Sequence, residues 1–260
     1  MTDTKDSKVA FLRSPLANLR DLGGLPADGG RIRFSTLWRA DDISHSPKWE
    51  VDELRQAGLR TILDLRSEQE HRAIGIGFSD ELGLAHQHFP LTPTAADPGT
   101  IAMIVEDSRT PAGAGRWYVQ LLEQQAENLV LIFRQIVSSE GGVLFHCAAG
   151  KDRTGVLAAA VLAVVGADEK TIIDDYSATA ANIERIFARL RLTNPAIAAE
   201  EDELRRADPN HAMLGACRDS MIAMLNLVGG APGLVGHLRS AGLDDDLRVG
   251  LRTRLVQQHN

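Results

Sequence analysis

The sequence predicts an α/β protein, and three stretches carry the prediction. Ile62-Leu63-Asp64-Leu65, inside "LRTILDLRS", is a compact apolar run suited to a buried strand. "VLFHC" is a second such strand, and it feeds through a short glycine-containing loop into "RTGVLAAAVLAVVG", an Ala-rich helix apolar on nearly every side. Between them, apolar residues from Trp117 to Val137 keep helical spacing. Strands and helices thus alternate along one chain.

In chain order, "NLRDLGGLPADGGRIRFSTLWRADDIS" (Asn18 to Ser44) carries Gly-Gly and Pro turns around "RIRFSTLWRA", which reads as a short hairpin or strand pair near the domain edge. "WEVDELRQAG" reads as a short helix ending at Gly58, followed by the strand from Leu59 and a further strand in "LAHQHFPL". The segment 92–115 is rich in Pro, Gly, Ala and Asp without periodicity and reads as a long mobile loop. One long amphipathic helix is expected from Arg116 to Ser139. "DEKTIIDDYSATAANIERIFARLRL" predicts a helix or helix pair opened by an Asp cap, and the segment 176–215 is a candidate helical lid. The remainder reads as helices broken at "NPA", "ADPN", "GGAPG" and "AGLDDD". No repeat or linker interrupts the chain, so a single domain over 1–260 is expected.

Composition bounds the function. The 260 residues are 44% hydrophobic and 24% charged, with a formal net charge of −7, so no uniform positive field exists to attract nucleic acid or an anionic membrane. An anion site must therefore be a local arrangement of donors. The polar N-terminus and the absence of an apolar run of about 18 residues predict neither a Sec signal nor a membrane span, which makes the cytoplasm the default compartment and leaves signal-independent secretion open. Cys147 and Cys217 are too few for a disulfide framework, so free thiols are expected. Oligomeric state is not readable.

The chemistry concentrates in "HCAAGKDRTG", His146 to Gly155. A strand ends at Cys147, five residues follow, and Arg153-Thr154-Gly155 opens a helix whose free N–H groups and positive dipole end favour an anion. The amides of Ala148, Ala149, Gly150, Lys151, Asp152 and Arg153 can form a nest of inward donors, and Gly150 frees the backbone to take angles forbidden to a side chain. Arg153 adds a planar fork matched to two phosphate oxygens. Cys147 lies at the bottom of this cup, in surroundings that favour a thiolate placed for in-line attack on a phosphomonoester, giving a phosphocysteine that water hydrolyses. Thr154 can donate its hydroxyl to the sulfur as it departs. Chance assembly of this pattern around one cysteine is on the order of one in a million, whereas Cys217 has Ala223 six positions on.

At these residues the sequence resembles the cysteine-dependent protein tyrosine phosphatase superfamily, whose signature is His-Cys, five residues, Arg and Ser or Thr. Lys151-Asp152 places the likeness in its bacterial tyrosine/dual-specificity, phosphoinositide-active branch. Further matches at "NLRDLGG", "LWRADDIS", "LRTILDLRSEQE" and "DDYSATAANIERIF" extend it from about Asn18 to Leu192. The resemblance implies a central, mainly parallel four-stranded sheet flanked by helices, activity on phosphotyrosine protein or phosphoinositide substrates, and no metal or other cofactor. The chain departs from the pattern at "VGGAPGLVGHL", which lacks the family's tyrosines, and at 92–115, which is short for a large lid.

A departing phenolate or alkoxide needs a proton. Asp64 is the first choice of acid, because the family's "DLRS" pattern falls on it and it ends a strand at the rim where α/β sheets bind ligands. Its alternative role is a local hydrogen bond to backbone or to Arg66. Asp152, which can also serve to orient Arg153, is the second choice, and Asp97 the third. Lys151 is a candidate contact to a second phosphate or headgroup, its alternative being a solvated lysine. His146 is expected to brace the loop through a backbone bond. The other histidines show no metal-ligand spacing and read as structural or surface residues. Two rival readings are a phosphopeptide- or phosphoinositide-binding pseudophosphatase without turnover and a sulfur-transfer loop; the intact Cys147, Arg153 and Thr154 weigh against the first, and the Arg-Thr-Gly ending and "DLRS" against the second.

Overall fold

The structure is a computed structural model that describes residues 15–92 and 107–258. Its main sheet joins β1 (Arg20–Asp21), β4 (Leu37–Ala40), β7 (Gly142–His146), β5 (Leu59–Asp64) and β6 (Ala85–His88), in that spatial order. The last four are mutually parallel, and β1 adds a short antiparallel edge. The expected four-stranded parallel sheet is thus present, one strand wider. A second sheet packs β2 (Pro26–Ala27), β3 (Gly30–Ile32) and the C-terminal β8 (Val256–Gln258).

Side-chain alternation gives the main sheet two apolar faces. Leu37, Leu63, Val143 and Phe145 face one core, while Trp38, Ala40, Ile62 and Leu144 face another. The first face lies under α3 (Pro111–Gln124), α4 (Ala126–Ser138) and α5 (Asp152–Val164), with α9 (Arg218–Val228), α10 (Gly230–Ser240) and α11 (Asp245–Leu255) behind them. The second is covered by α1 (Lys48–Gln56), through Val51 and Leu54. Every residue of α5 from Thr154 to Val164 is buried, which its uniformly apolar, Ala-rich sequence anticipates.

Three expectations need correction. "RIRFSTLWRA" is no hairpin: Gly30–Ile32 belongs to the small sheet, whereas Leu37–Ala40 is fully buried between β1 and β7. Local turn signals cannot reveal that the two halves pair with β8 and β7, more than 100 residues away. The expected single helix from Arg116 to Ser139 starts earlier and breaks at Gln125, whose buried side chain donates to the Thr92 carbonyl at 2.6 Å. Residues 93–106 of the expected loop, Asp97 among them, lie outside the described residues, but 111–115 form the first turn of α3. Thr110 caps that turn and Pro111 starts it. "PAGAG" is helical despite its two glycines: a Cβ at Gly115 would stand 2.6 Å from the Ala223 side chain, so the glycine serves the close approach of α3 and α9, a reason invisible to local propensity.

The segment 176–215 is helical as expected, comprising the end of α6 (Glu169–Ala178), α7 (Ile183–Thr193) and α8 (Pro195–Ala207) with short 3-10 turns between. Asp168 caps α6 through the Thr171 amide. α2 (Glu68–Ile74), which the apolar pattern misses, has a complete capping box between Ser67 and Glu70. No single helix among the described residues is long and apolar enough to cross a membrane. Parallel register places the ends of β4, β7, β5 and β6 at one rim, opposing Ala40 to His146, His146 to Asp64 and Asp64 to His88. The residues after these strands build the site.

Candidate active site

The loop Cys147–Lys151 joins β7 to α5, and the scaffold holds it by its carbonyls. The Asp42 amide donates to Ala148 O at 3.1 Å, Asn18 Nδ2 donates to Ala149 O and Gly150 O at 3.3 and 2.9 Å, and Arg39 Nη2 donates to Gly150 O at 2.9 Å. Peptide planarity then turns the N–H groups of Ala149, Gly150 and Lys151 to the opposite side. Gly150 has φ +65°, and a Cβ there would stand 2.4 Å from the Ala40 carbonyl, so both conformation and space demand glycine. Arg39, wholly buried, is held in turn by Asp175.

Cys147 is buried at the loop's start, and Thr154 Oγ1 donates to its Sγ at 3.1 Å. His146 Nδ1 donates to the Cys147 carbonyl at 3.2 Å, the brace expected of it, while burial pushes its imidazole below the usual value. Both cysteines are free. Arg153 presents two N–H groups to Glu70, at 2.6 and 3.0 Å. Burial would by itself lower the Arg153 guanidinium, but the Cys147 and Glu70 charges override it and hold it above its ordinary value.

Glu70 is the functional residue that sequence reasoning missed. One Oε2 both caps the Ser67 amide at 2.7 Å and meets Arg153, so the N-terminal turn of α2 aims the arginine. Burial opposes ionisation of Glu70, but the hydrogen bonds and charge of Arg153 bring its carboxyl down to about 2. The capping-box spacing Ser67-x-x-Glu70 was the available signal. Because the folded value is depressed, this clamp stabilises fully above the unfolded carboxyl value near 4.3 and fades as pH falls through about 2. The stability difference between wild type and Glu70→Gln is therefore expected to shrink by about 2.5 kcal/mol as denaturant unfolding is moved from pH 5 to pH 2. A constant difference would refute the clamp.

The candidate acids separate clearly. Asp64 is fully buried; Arg66 gives it its backbone amide at 3.0 Å and guanidinium contacts of 2.6 to 3.1 Å, and His71 Nδ1 adds one at 3.0 Å. Burial would raise its carboxyl, yet the donors and charge of Arg66 override it and hold it far below the usual range. With both oxygens taken up by Arg66 and His71, and the side chain wholly buried, Asp64 stands in its alternative role as partner of Arg66. Asp152 instead lines an open cleft of about 510 Å³ together with Arg153, Glu70, Trp117 and Glu200. Tyr118 OH donates to Asp152 Oδ1 at 2.6 Å and meets Tyr176 OH, also at 2.6 Å, both phenols being buried. Burial and the Asp152 charge keep both phenols well above their ordinary value, so Tyr118 remains a donor.

Lys151 needs correction as a ligand contact. Its buried ammonium donates to the Met213 and Gly215 carbonyls, so neither a headgroup nor bulk solvent holds it; it ties the phosphate loop to the chain after α8. Of the histidines, His71, His86, His88 and His146 gather around or beside Asp64, a grouping that their spacing in the sequence does not show.

A model of the tyrosine phosphatase family matches residues 14–257. A Cupriavidus necator protein named as a tyrosine-protein phosphatase is 30% identical over 169 residues, covering 62% of this chain and 59% of its own length. The chain thus spans less than two thirds of that relative. A tyrosine-protein phosphatase of Nostoc commune is 28% identical, over 90% of this chain and 76% of the relative. The triple specificity protein phosphatase PtpB of Mycobacterium tuberculosis is 25% identical, over 83% of this chain and 86% of its own. With the family match running through strand, loop and capping elements alike, the chain belongs to the tyrosine phosphatase family.

Proposed function

We propose that the protein hydrolyses phosphotyrosine in protein substrates through a phosphocysteine on Cys147. Sγ forms the bond to phosphorus as the bond to the tyrosine oxygen breaks, and Asp152, entering the step as the protonated carboxyl with Tyr118 on its Oδ1, gives that proton to the leaving oxygen. Water then attacks phosphorus, returns a proton to Asp152, and releases inorganic phosphate as the sulfur departs with the Thr154 hydroxyl directed at it. The amides of Ala149, Gly150 and Lys151, with Arg153, hold the equatorial oxygens. The outward tethering of three successive loop carbonyls carries this reading, because it leaves donors, and no acceptors, for an anion.

The cleft supports phosphotyrosine over phosphoinositide. Arg153 supplies its cationic side chain, Lys151 is committed to two carbonyls, and Glu70, Asp152 and Glu200 border the space beside the indole of Trp117. An aryl ring suits such walls; an inositol ring with several phosphates meets repulsion. In metal-free buffer, kcat/KM for a phosphotyrosine peptide is expected to exceed that for a soluble phosphoinositide by at least about 10-fold, the scale of a 1.4 kcal/mol difference. Parity or reversal would assign the lipid headgroup instead.

A further inference from the structure

Four of the chain's eight histidines, His71, His86 with His88, and His146, come from three places in the sequence to one buried carboxylate. His146 Nε2 and His86 Nε2 stand 3.9 and 3.6 Å from opposite oxygens of Asp64, with side chains 0% and 6% exposed. Neither nitrogen has a hydrogen-bond partner among the described residues. For His146 the tautomer follows from geometry: the Cys147 carbonyl can only accept, so Nδ1 carries the proton, and a neutral ring then aims its Nε2 lone pair at an ionised carboxylate. Two electron-rich groups facing each other in a dry interior call for something positive between them.

The charges agree. Asp64 and Asp42 are both bound to Arg66, giving two carboxylates to one guanidinium, a residual negative charge that a cation offsets. Two imidazole nitrogens and a carboxylate oxygen lie within 4.8 Å of one another. Donors on a tetrahedral zinc ion at about 2.0 Å stand about 3.3 Å apart, so closure asks for shifts of at most about 1.5 Å. Partly exposed His71, 3.0 Å from the same carboxylate and stacked on His88 at 4.1 Å, offers a route from solvent.

We propose that Asp64, His86 and His146 form a binding site for one divalent transition-metal ion of the zinc type, behind the phosphate loop and outside the reaction. Nitrogen and carboxylate ligands suit zinc better than calcium or magnesium, which favour all-oxygen sites. His146 links the site to catalysis only through position: a metal on Nε2 strengthens the Nδ1–H bond that holds the Cys147 carbonyl.

Zinc titration calorimetry on Cys147→Ser protein, in which the catalytic thiol cannot be the ligand, tests this. About one equivalent is expected to bind, weakened more than about 10-fold by His86→Gln, since losing even an outer-shell partner costs that much. No binding, or equal binding in His86→Gln, would overturn the site. X-ray absorption of the zinc-loaded Cys147→Ser protein keeps the test open should His86→Gln unfold: a shell of nitrogen and oxygen with two imidazoles supports the site, and sulfur or a single imidazole overturns it.

Discussion

Cys147→Ser protein is expected to release phosphate from an aryl phosphate at least roughly 10⁴-fold more slowly than wild type, because an unactivated hydroxyl replaces the attacking sulfur. Nothing at the site is built to rescue serine. Thr154, 3.1 Å from Sγ, donates toward the nucleophile, and His146 spends its Nδ1 proton on the Cys147 carbonyl, so neither is placed as a base for residue 147. The loop carbonyls remain tied to Asn18, Arg39 and Asp42, so the anion cup outlasts the substitution. Binding and turnover should therefore part: the phosphotyrosine peptide is expected to bind within about 10-fold of wild type, a change worth no more than about 1.4 kcal/mol. Stopped-flow turnover and calorimetry on the same preparation check both halves. Activity surviving at a hundredth of wild type would place the nucleophile elsewhere. Joint loss of binding and turnover would mean that the sulfur itself shapes the cup.

The parts of this site that could be read from the sequence are those in which neighbours along the chain are neighbours in space. Strand, cysteine, five residues, arginine and buried helix are one continuous stretch, so the order of residue types already implies the cup. The same holds for the Asp168 cap and for Asp64 with Arg66, two residues apart, where the local hydrogen bond prevailed over the catalytic reading. What escaped is long-range. Asn18 and Arg39 hold Gly150 across more than 100 residues, Glu70 reaches Arg153 across 83, and Lys151 turns away to Gly215 across 64. Composition misled at "PAGAG", where glycine marks close helix packing rather than a loop.

Asp152→Asn should show the signature of a missing acid. Turnover of phosphotyrosine is expected to fall about 10²–10⁴-fold, while an aryl phosphate whose phenolate leaves unaided loses only a few-fold. Asp64→Asn should behave differently. It strips a fully buried guanidinium of its bidentate partner, leaving Arg66 with Asp42 and the Gly75 carbonyl, so stability is expected to drop by about 3–5 kcal/mol and turnover to decline alike for good and poor leaving groups. Tyr118→Phe separates position from chemistry, because it removes the 2.6 Å bond on Asp152 Oδ1 and leaves the carboxyl in place. Its loss should follow the leaving-group order of Asp152→Asn at smaller amplitude, with KM unchanged. The decisive quantity is the slope of log kcat against leaving-group pKa, together with the melting temperature of each variant. Should that slope steepen in Asp64→Asn and stay flat in Asp152→Asn, a carboxyl sealed under arginine would be delivering the proton, and the Arg66 pairing would have to open during turnover.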